Sequence, residues 1–276
     1  MPSIIIPAHN ESAVIEKCLS VFIEKIMAPD FEVIVVCNGC IDDTALITRK
    51  LSDQFICIET EVASKTHAIN LGEKAANFFP RIYLDADIIL SIKSVNALCG
   101  GFNSGYLAMS LMPKMNMKES SWPVRAYYDI WLSLPYCKEG MMGAGIYALS
   151  KEGRERFKEF PNIIADDGFV RCMFMAHERG VVSEQYAIVN APKTLKGLIK
   201  IKTRSRFGGY ELQDKYPELM KNEKKDYSLA IRNMVLNFEI WPKLFVYVFV
   251  NFITRLRAKL QYKKKHYIWE RDETSR

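Results

Sequence analysis

The chain has 276 residues, 49% hydrophobic and 25% charged, which excludes a disordered chain and allows one large α/β domain with an appendage or two small domains. Its net charge of +6 is unevenly placed: residues 255–276 hold eight Lys/Arg against three acids, so the body is close to neutral and no nucleic-acid partner is expected. Seven cysteines scattered through apolar stretches, and a start that runs from Met-Pro-Ser directly into a strand without a basic leader, point to free thiols in a reducing cytosol.

Ser3–Pro7 is a run of β-branched residues read as a buried strand closed by proline. Asn10 or Ser12 then caps a helix whose apolar positions (Val14, Ile15, Leu19, Phe22, Ile23) recur at helical spacing. Phe31–Cys37 is a second buried strand, with Asn38-Gly39 turning out of it and Asp42 or Asp43 starting a helix through Leu51. Phe55–Glu59 is a third strand, Ser64 opens a helix to about Phe78, and Arg81–Leu84 is a fourth strand. Strand and helix alternate at the rhythm of right-handed βαβ units, so a parallel sheet follows. In such sheets ligands sit beyond the carboxyl ends of the strands. Four polar loops fall there: 8–11, 38–43, 63–65 and 85–87.

The last of these loops holds two carboxylates, Asp85 and Asp87, inside the apolar run Arg81–Leu90. Charges in such a run are costly unless something positive meets them. At positions i and i+2 of an extended chain they leave one face, and two hard oxygen ligands suit Mg²⁺ or Mn²⁺. The plainer reading is an acidic turn at a strand end. Further along, Leu107–Leu111, Gly145–Leu149 and Val181–Val189 read as strands, Ser121–Leu132 and Gly168–Ala176 as helices, and the chain from Leu212 onward as helical and increasingly basic.

Cys37-Asn38-Gly39-Cys40 fits a C-x-x-C pattern, but no second ligand pair exists for zinc, and the four-loop arrangement does not suit a thioredoxin fold. Two free thiols beside a turn are expected. Leu244–Ile253 is apolar but too short to span a bilayer, which takes about 20 apolar residues. Followed by Arg255, Arg257, Lys259 and Lys263–Lys265, with Trp241, Tyr262, Tyr267 and Trp269 nearby, the segment 240–269 suits a helix lying in an anionic membrane interface. A helix packed on the domain, or a contact between copies, is the alternative.

With the loops placed in order, residues 1–210 resemble the family 2 glycosyltransferases of the GT-A fold. Ile-Ile-Pro-Ala-His-Asn-Glu (5–11) is similar to the family's first strand and base-holding loop, which implies nucleotide contacts from Pro7, Ala8, Asn10 and Glu11. Asn38–Thr44 resembles its second signature, with Asn38 standing where the family has an Asp against uracil. Ser64-Lys65 and Asn70-Leu71-Gly72 are similar to the segment between base site and metal, and Asp85-Ala86-Asp87 to the DxD motif, in which Asp87 binds the metal and Asp85 lies nearer the ribose. Gly143-Ala144-Gly145 resembles the glycine-rich acceptor-side strand, and Asp166-Asp167 the acidic pair whose second member is the catalytic base. Thr203–Phe207 resembles the late basic motif, with Thr203 and Phe207 replacing the Gln and Trp of processive members.

The resemblance implies a GT-A, Rossmann-like α/β/α sandwich with a mostly parallel sheet over 1–210 and a helical, basic C-terminal extension over 211–276. It implies an inverting, Mn²⁺- or Mg²⁺-dependent transferase that uses a nucleotide-sugar donor, UDP-sugar favoured, and a glycan or lipid-linked acceptor. A role in bacterial surface polysaccharide synthesis, peripheral to the inner face of the plasma membrane, is the matching expectation. The metal stabilises the diphosphate leaving group. Arg204 and Arg206 add bidentate phosphate contacts. Asp167 takes the proton of the acceptor hydroxyl on the face opposite the leaving group. Plainer readings stand beside these: Asp166-Asp167 as a helix start favoured by the dipole, Lys65 as a solvated first-turn lysine, and the two arginines as a solvated helix face. The rival functions are a nucleotidyltransferase, which calls for a Gly-rich phosphate loop that 8–11 lacks, and a non-catalytic nucleotide- or carbohydrate-binding module.

Overall fold

The computed structural model describes residues 1–23, 31–138, 144–222 and 234–264. Gly143 of the expected glycine-rich strand, and residues 265–269 of the expected membrane segment, lie outside them. In chain order the strands are β1 (Ser3–Ala8), β2 (Glu32–Asn38), β3 (Ile56–Thr60), β4 (Arg81–Leu84), β5 (Ala108–Asn116), β6 (Ile146–Leu149) and β7 (Arg179–Asn190). The main helices are α1 (Ile15–Ile23), α2 (Thr44–Leu51), α3 (Lys65–Ala75), α4 (Ile92–Gly100), α5 (Trp122–Ser133), α6 (Asp166–Met173), α7 (Leu195–Lys215) and α8 (Trp241–Lys263).

The strands form one seven-stranded sheet in the order β3-β2-β1-β4-β6-β5-β7. β3, β2, β1 and β4 run parallel, with Ile5 opposite Ile34 on one side and Tyr83 on the other. β6 is antiparallel to both β4 and β5. Every residue of β1 is buried, as a central parallel strand covered on both faces requires. That burial explains why Ile4–Ile6 read as a continuous apolar run and not as an alternation. One face of the sheet packs Ile4, Ile6, Val33, Val35, Ile82 and Leu84 against α1, α2 and α4.

Contacts divide the chain into two compact units: Met1–Lys114 with Met141–Asn162 and Met173–Val189, and Met115–Gly140 with Ile163–Cys172 and Asn190–Arg276. The first holds the sheet. The second is helical, built on α5, α6, α7 and α8, with Val124, Tyr127, Tyr128, Leu198 and Val250 at its core.

Three details differ from the sequence reading. Neither Asn10 nor Ser12 caps α1: Glu11 O receives the N–H of Val14 and Ile15, and Asn10, at φ 52°, turns its amide toward the next loop. β5 is longer than Leu107–Leu111, running on to Asn116. The late helix starts at Leu195, capped by Thr194, whose hydroxyl accepts from Gly197 N at 3.1 Å, and it runs through residue 210. Its first turns contain Leu-Ile-Lys-Ile-Lys (198–202), whose local alternation imitates a strand and masks the helical period.

Candidate active site

In the first unit the ends of β1, β2 and β4 and the start of α3 are stitched together by side chains. Asn10 Oδ1 accepts from Ile41 N at 2.8 Å, and Ser12 N donates to Asp42 Oδ2 at 3.0 Å. Glu11 N donates to Thr44 Oγ1 at 2.8 Å. His9 Nδ1 donates to the Asn38 carbonyl at 2.6 Å. Asn38 is buried, its amide donating to Ala8 O at 2.8 Å and accepting from Ser64 N at 3.3 Å. Ser64 in turn caps α3, accepting from His67 N at 3.4 Å. Pro7, Ala8, Asn10, Glu11 and Asn38 therefore do come together, and they support one another as loops. Burial opposes the charge on Asp42, but hydrogen bonds from Thr44 and Ser12 outweigh it and hold the carboxyl below its usual range.

The thiols of the same corner are free, as expected. Cys40 Sγ reaches Ala8 O at 3.3 Å and receives Asn10 N at 3.4 Å. A hydrogen bond from Cys37 pulls the Cys40 thiol below its usual range, against the opposing effect of burial.

β4 stops at Leu84, so Asp85 and Asp87 sit in a turn closed by Ile88 N donating to Asp85 O at 3.1 Å. The strand's alternation nevertheless persists: Ala86 and Ile88 are buried in the core, while Asp85 and Asp87 reach the open side together. Asp85 N donates to Gly145 O at 2.8 Å, which ties the turn to the residue preceding β6. Gly145 has φ +80°, and a Cβ there would lie 2.5 Å from Ile88 Cγ1 and 3.3 Å from Asp85 Oδ2. Only glycine allows both the backbone and the close approach. Lys65 Nζ sits 2.8 Å from Asp85 Oδ1, so it is a partner of the acidic turn and not a solvated surface lysine. Beneath the turn the Cys18 thiol is pushed up by burial and then by the charges of Asp87, Asp85 and Glu11.

The second unit holds the other candidates. Asp166 is buried at the start of α6, and Asp167 Oδ1 accepts from Gly168 N at 2.7 Å. α7 clamps the residues before them. Ile164 N donates to Glu211 Oε2 at 2.8 Å, and a Cβ at Gly208 would lie 2.9 Å from that of Ala165. Neither Glu211 nor Gly208 stands out in the sequence; Glu211 with Lys215 reads as a solvated i,i+4 pair, and only the Gly-Gly step inside a helical pattern marks the close packing. Arg206 is held by α8, its guanidinium donating to Thr254 Oγ1 at 3.0 Å and to Asn251 Oδ1. Arg204 lies half-buried two residues earlier on α7.

The parallel sheet, with its polar loops at the carboxyl ends of β1, β2 and β4 and a paired-aspartate turn, defines a GT-A-type α/β domain. The profile of glycosyl transferase family 2 matches residues 3–149, more than half of the chain, and the protein belongs to that family. No curated protein sequence matches it. Among solved structures it is similar to the mannosyltransferase PcManGT from Pyrobaculum calidifontis, crystallised with GDP-Man and Mn²⁺. The TM-score is 0.69 at 18% identity, covering 96% of this chain and 87% of that one. Glucosyl-3-phosphoglycerate synthase from Mycobacterium tuberculosis, crystallised with Mn²⁺, UDP and phosphoglyceric acid, gives a TM-score of 0.56 at 17% identity over 82% and 80% of the two chains. Residues 1–349 of TarS from S. aureus give 0.55 at 12% identity over 96% and 92%. At these identities the likeness is one of fold.

Proposed function

We propose that the protein is an inverting glycosyltransferase moving a sugar from a nucleoside-diphosphate sugar, a UDP-sugar by preference, to a hydroxyl of a glycan or lipid-linked acceptor. We place it in surface-polysaccharide synthesis at the cytoplasmic face of a membrane, which the segment 240–269 meets. The observation that carries the transferase reading is the Asp85–Asp87 turn, held by Gly145 at the mouth of the stitched loops.

A divalent ion fits this turn. Among the described residues no group of three or more His, Cys, Asp or Glu is placed to hold a metal by protein ligands alone. Mg²⁺ and Mn²⁺ commonly take one or two carboxylates and draw their remaining oxygens from substrate phosphates, which is the ligand set a paired-aspartate turn offers. Bound there by Asp87 with help from Asp85, Mn²⁺ or Mg²⁺ stabilises the charge that develops on the diphosphate. Asp85, already paired with Lys65, is the weaker ligand and the one nearer the ribose. Pro7, Ala8, Asn10, Glu11 and Asn38 form the wall against the base, and Lys65 the cation beside it. Asp167 takes the proton of the attacking hydroxyl, and Asp166 anchors the start of its helix. Arg204 and Arg206 are the arginines for the phosphates, and Arg206 also donates to Thr254 and Asn251.

A thermal-shift series with UDP-, GDP- and dTDP-sugars, with and without Mn²⁺, tests the reading. One donor class is expected to raise the Tm of the wild type only when Mn²⁺ is present, and Asp87→Asn is expected to abolish the rise without lowering the Tm of the free protein. Donor stabilisation that is independent of Mn²⁺ and intact in Asp87→Asn would overturn the metal assignment.

A further inference from the structure

α8 is apolar on both faces along its first three turns. Its inner side is settled: Val250, Thr254 and Ala258 are buried, and the helix packs on α5 and α7. Lys243 pairs with Asp129 of α5 at 2.7 Å. A surface helix so packed normally turns polar residues outward. This one does the opposite. Phe245 is 73% exposed and Phe252 65%, and with Phe249, Leu256 and Leu260 they recur every three or four residues along the outer face. The stripe continues into the preceding turn, where Phe238, 73% exposed, packs its ring 4.8 Å from that of Trp241.

Of the twenty exposed large apolar side chains among the described residues, ten fall between Val235 and Leu260. Isolated exposed apolar residues need no explanation, but a contiguous row of this kind marks a surface made for contact. No described helix is long and apolar enough to cross a membrane. At 23 residues and about 1.5 Å per residue, α8 is a rod of roughly 35 Å that lies along a surface.

The charge says which surface. Residues 238–263 contain five Lys/Arg against one acid, Glu239, in the turn before the helix. Arg255, Lys259 and Lys263 are exposed and follow the same outward spacing as Phe245, Phe252 and Leu256. A second copy of this helix would bring no carboxylate to meet them. An anionic bilayer supplies both halves, acyl chains for the stripe and phosphate or carboxylate headgroups for the cations.

We infer that the outer face of α8, from Phe238 to Lys263, is an interfacial anchor that lies flat in an anionic phospholipid bilayer. The inference rests on the membrane reading of 240–269 proposed above and assigns it to one face and one lipid chemistry. Sedimentation of the full chain with vesicles tests it, comparing phosphatidylcholine alone with phosphatidylcholine containing phosphatidylserine or phosphatidylglycerol. Binding is expected to the anionic vesicles, to fall as salt rises, and to be lost in Phe245→Glu/Phe252→Glu. It should weaken about thirtyfold in Arg255→Gln/Lys259→Gln. Both substitutions fall on exposed side chains, and the charge-only variant leaves the apolar stripe whole should the first misfold.

Equal binding to neutral and anionic vesicles, or none to either, would overturn the inference. So would a Phe245→Glu/Phe252→Glu chain that binds vesicles normally but sediments as a smaller oligomer, which would assign the stripe to contact between copies. Donor-dependent thermal shift, measured in parallel, is expected to be unchanged in both variants. A chain that binds vesicles yet is stabilised by no donor fails the transferase reading alone, and the reverse fails the anchor alone.

Discussion

Asp167 owes its proposed role to its match with the second member of the family's acidic pair, and it sits in the first turn of α6. Asn in its place keeps the shape and the oxygen that accepts from Gly168 N but cannot take up a proton. Asp167→Asn is therefore expected to lower kcat about 10²–10⁴-fold and to leave donor affinity, read by thermal shift, unchanged. Weakened donor binding with normal turnover at saturation would move Asp167 to the donor side. Residues of this kind are legible in a sequence because they violate it locally: Asp85, Asp87, Asp166 and Asp167 each interrupt an apolar run. Lys202 shows the opposite case. It lies over Trp131 at 4.4 Å and near the rings of Tyr128 and Tyr127 at 5.2 and 5.4 Å. In the sequence it is one lysine among several, because its partners are carried by another helix.

Elements were legible where their period was pure. β1, β2 and β4 and the helices between them stand out because central parallel strands are apolar on both faces and their helices are amphipathic. α7 was obscured because its basic residues alternate locally and because its glycines serve close packing. The same packing logic separates two glycines experimentally. Gly145 combines φ +80° with a neighbour at 2.5 Å, whereas nothing lies within 4 Å of a Cβ at Gly209 on α7. Gly145→Val is expected to displace the Asp85–Asp87 turn, abolishing the donor-dependent thermal shift and costing about 1–3 kcal/mol of stability. Gly209→Ala is expected to be neutral or to stabilise by about 0.5–1 kcal/mol through helix propensity. Equal effects at the two positions would mean that the Gly145 backbone does not hold the turn.

At the scale of the whole chain, each unit carries a group whose lowered pKa makes stability rise with pH, in separate windows. In the first, Arg156 donates to both oxygens of Glu178, at 2.6 and 2.9 Å, and Met175 N adds a third hydrogen bond at 2.8 Å. These hold the Glu178 carboxyl down at about 2, led by the Arg156 hydrogen bond. A carboxyl depressed on folding contributes stability that is complete above its unfolded value near 4.5 and is lost as pH falls toward 2. In the second unit, burial lowers Lys202 to about 8, even though three aromatic rings face its ammonium. Cation–π attraction of about 0.5–2 kcal/mol works against that desolvation. The slope has the same sign but another origin: below pH 8 the folded chain carries the cost of a buried charge, and between about 8 and 10.5 the unfolded chain binds more protons, so stability again rises with pH. Urea unfolding followed across pH should separate the two. Glu178→Gln is expected to be destabilised by about 1–2 kcal/mol at pH 7 and to converge on the wild type as pH falls from 4.5 toward 2. Lys202→Met, whose thioether suits the same aromatic surroundings, is expected to be more stable than the wild type at pH 7 and flat between pH 8 and 10.5, where the wild type climbs. A wild type that loses stability over that alkaline window would show that Lys202 is held in the cage as a stabilised cation.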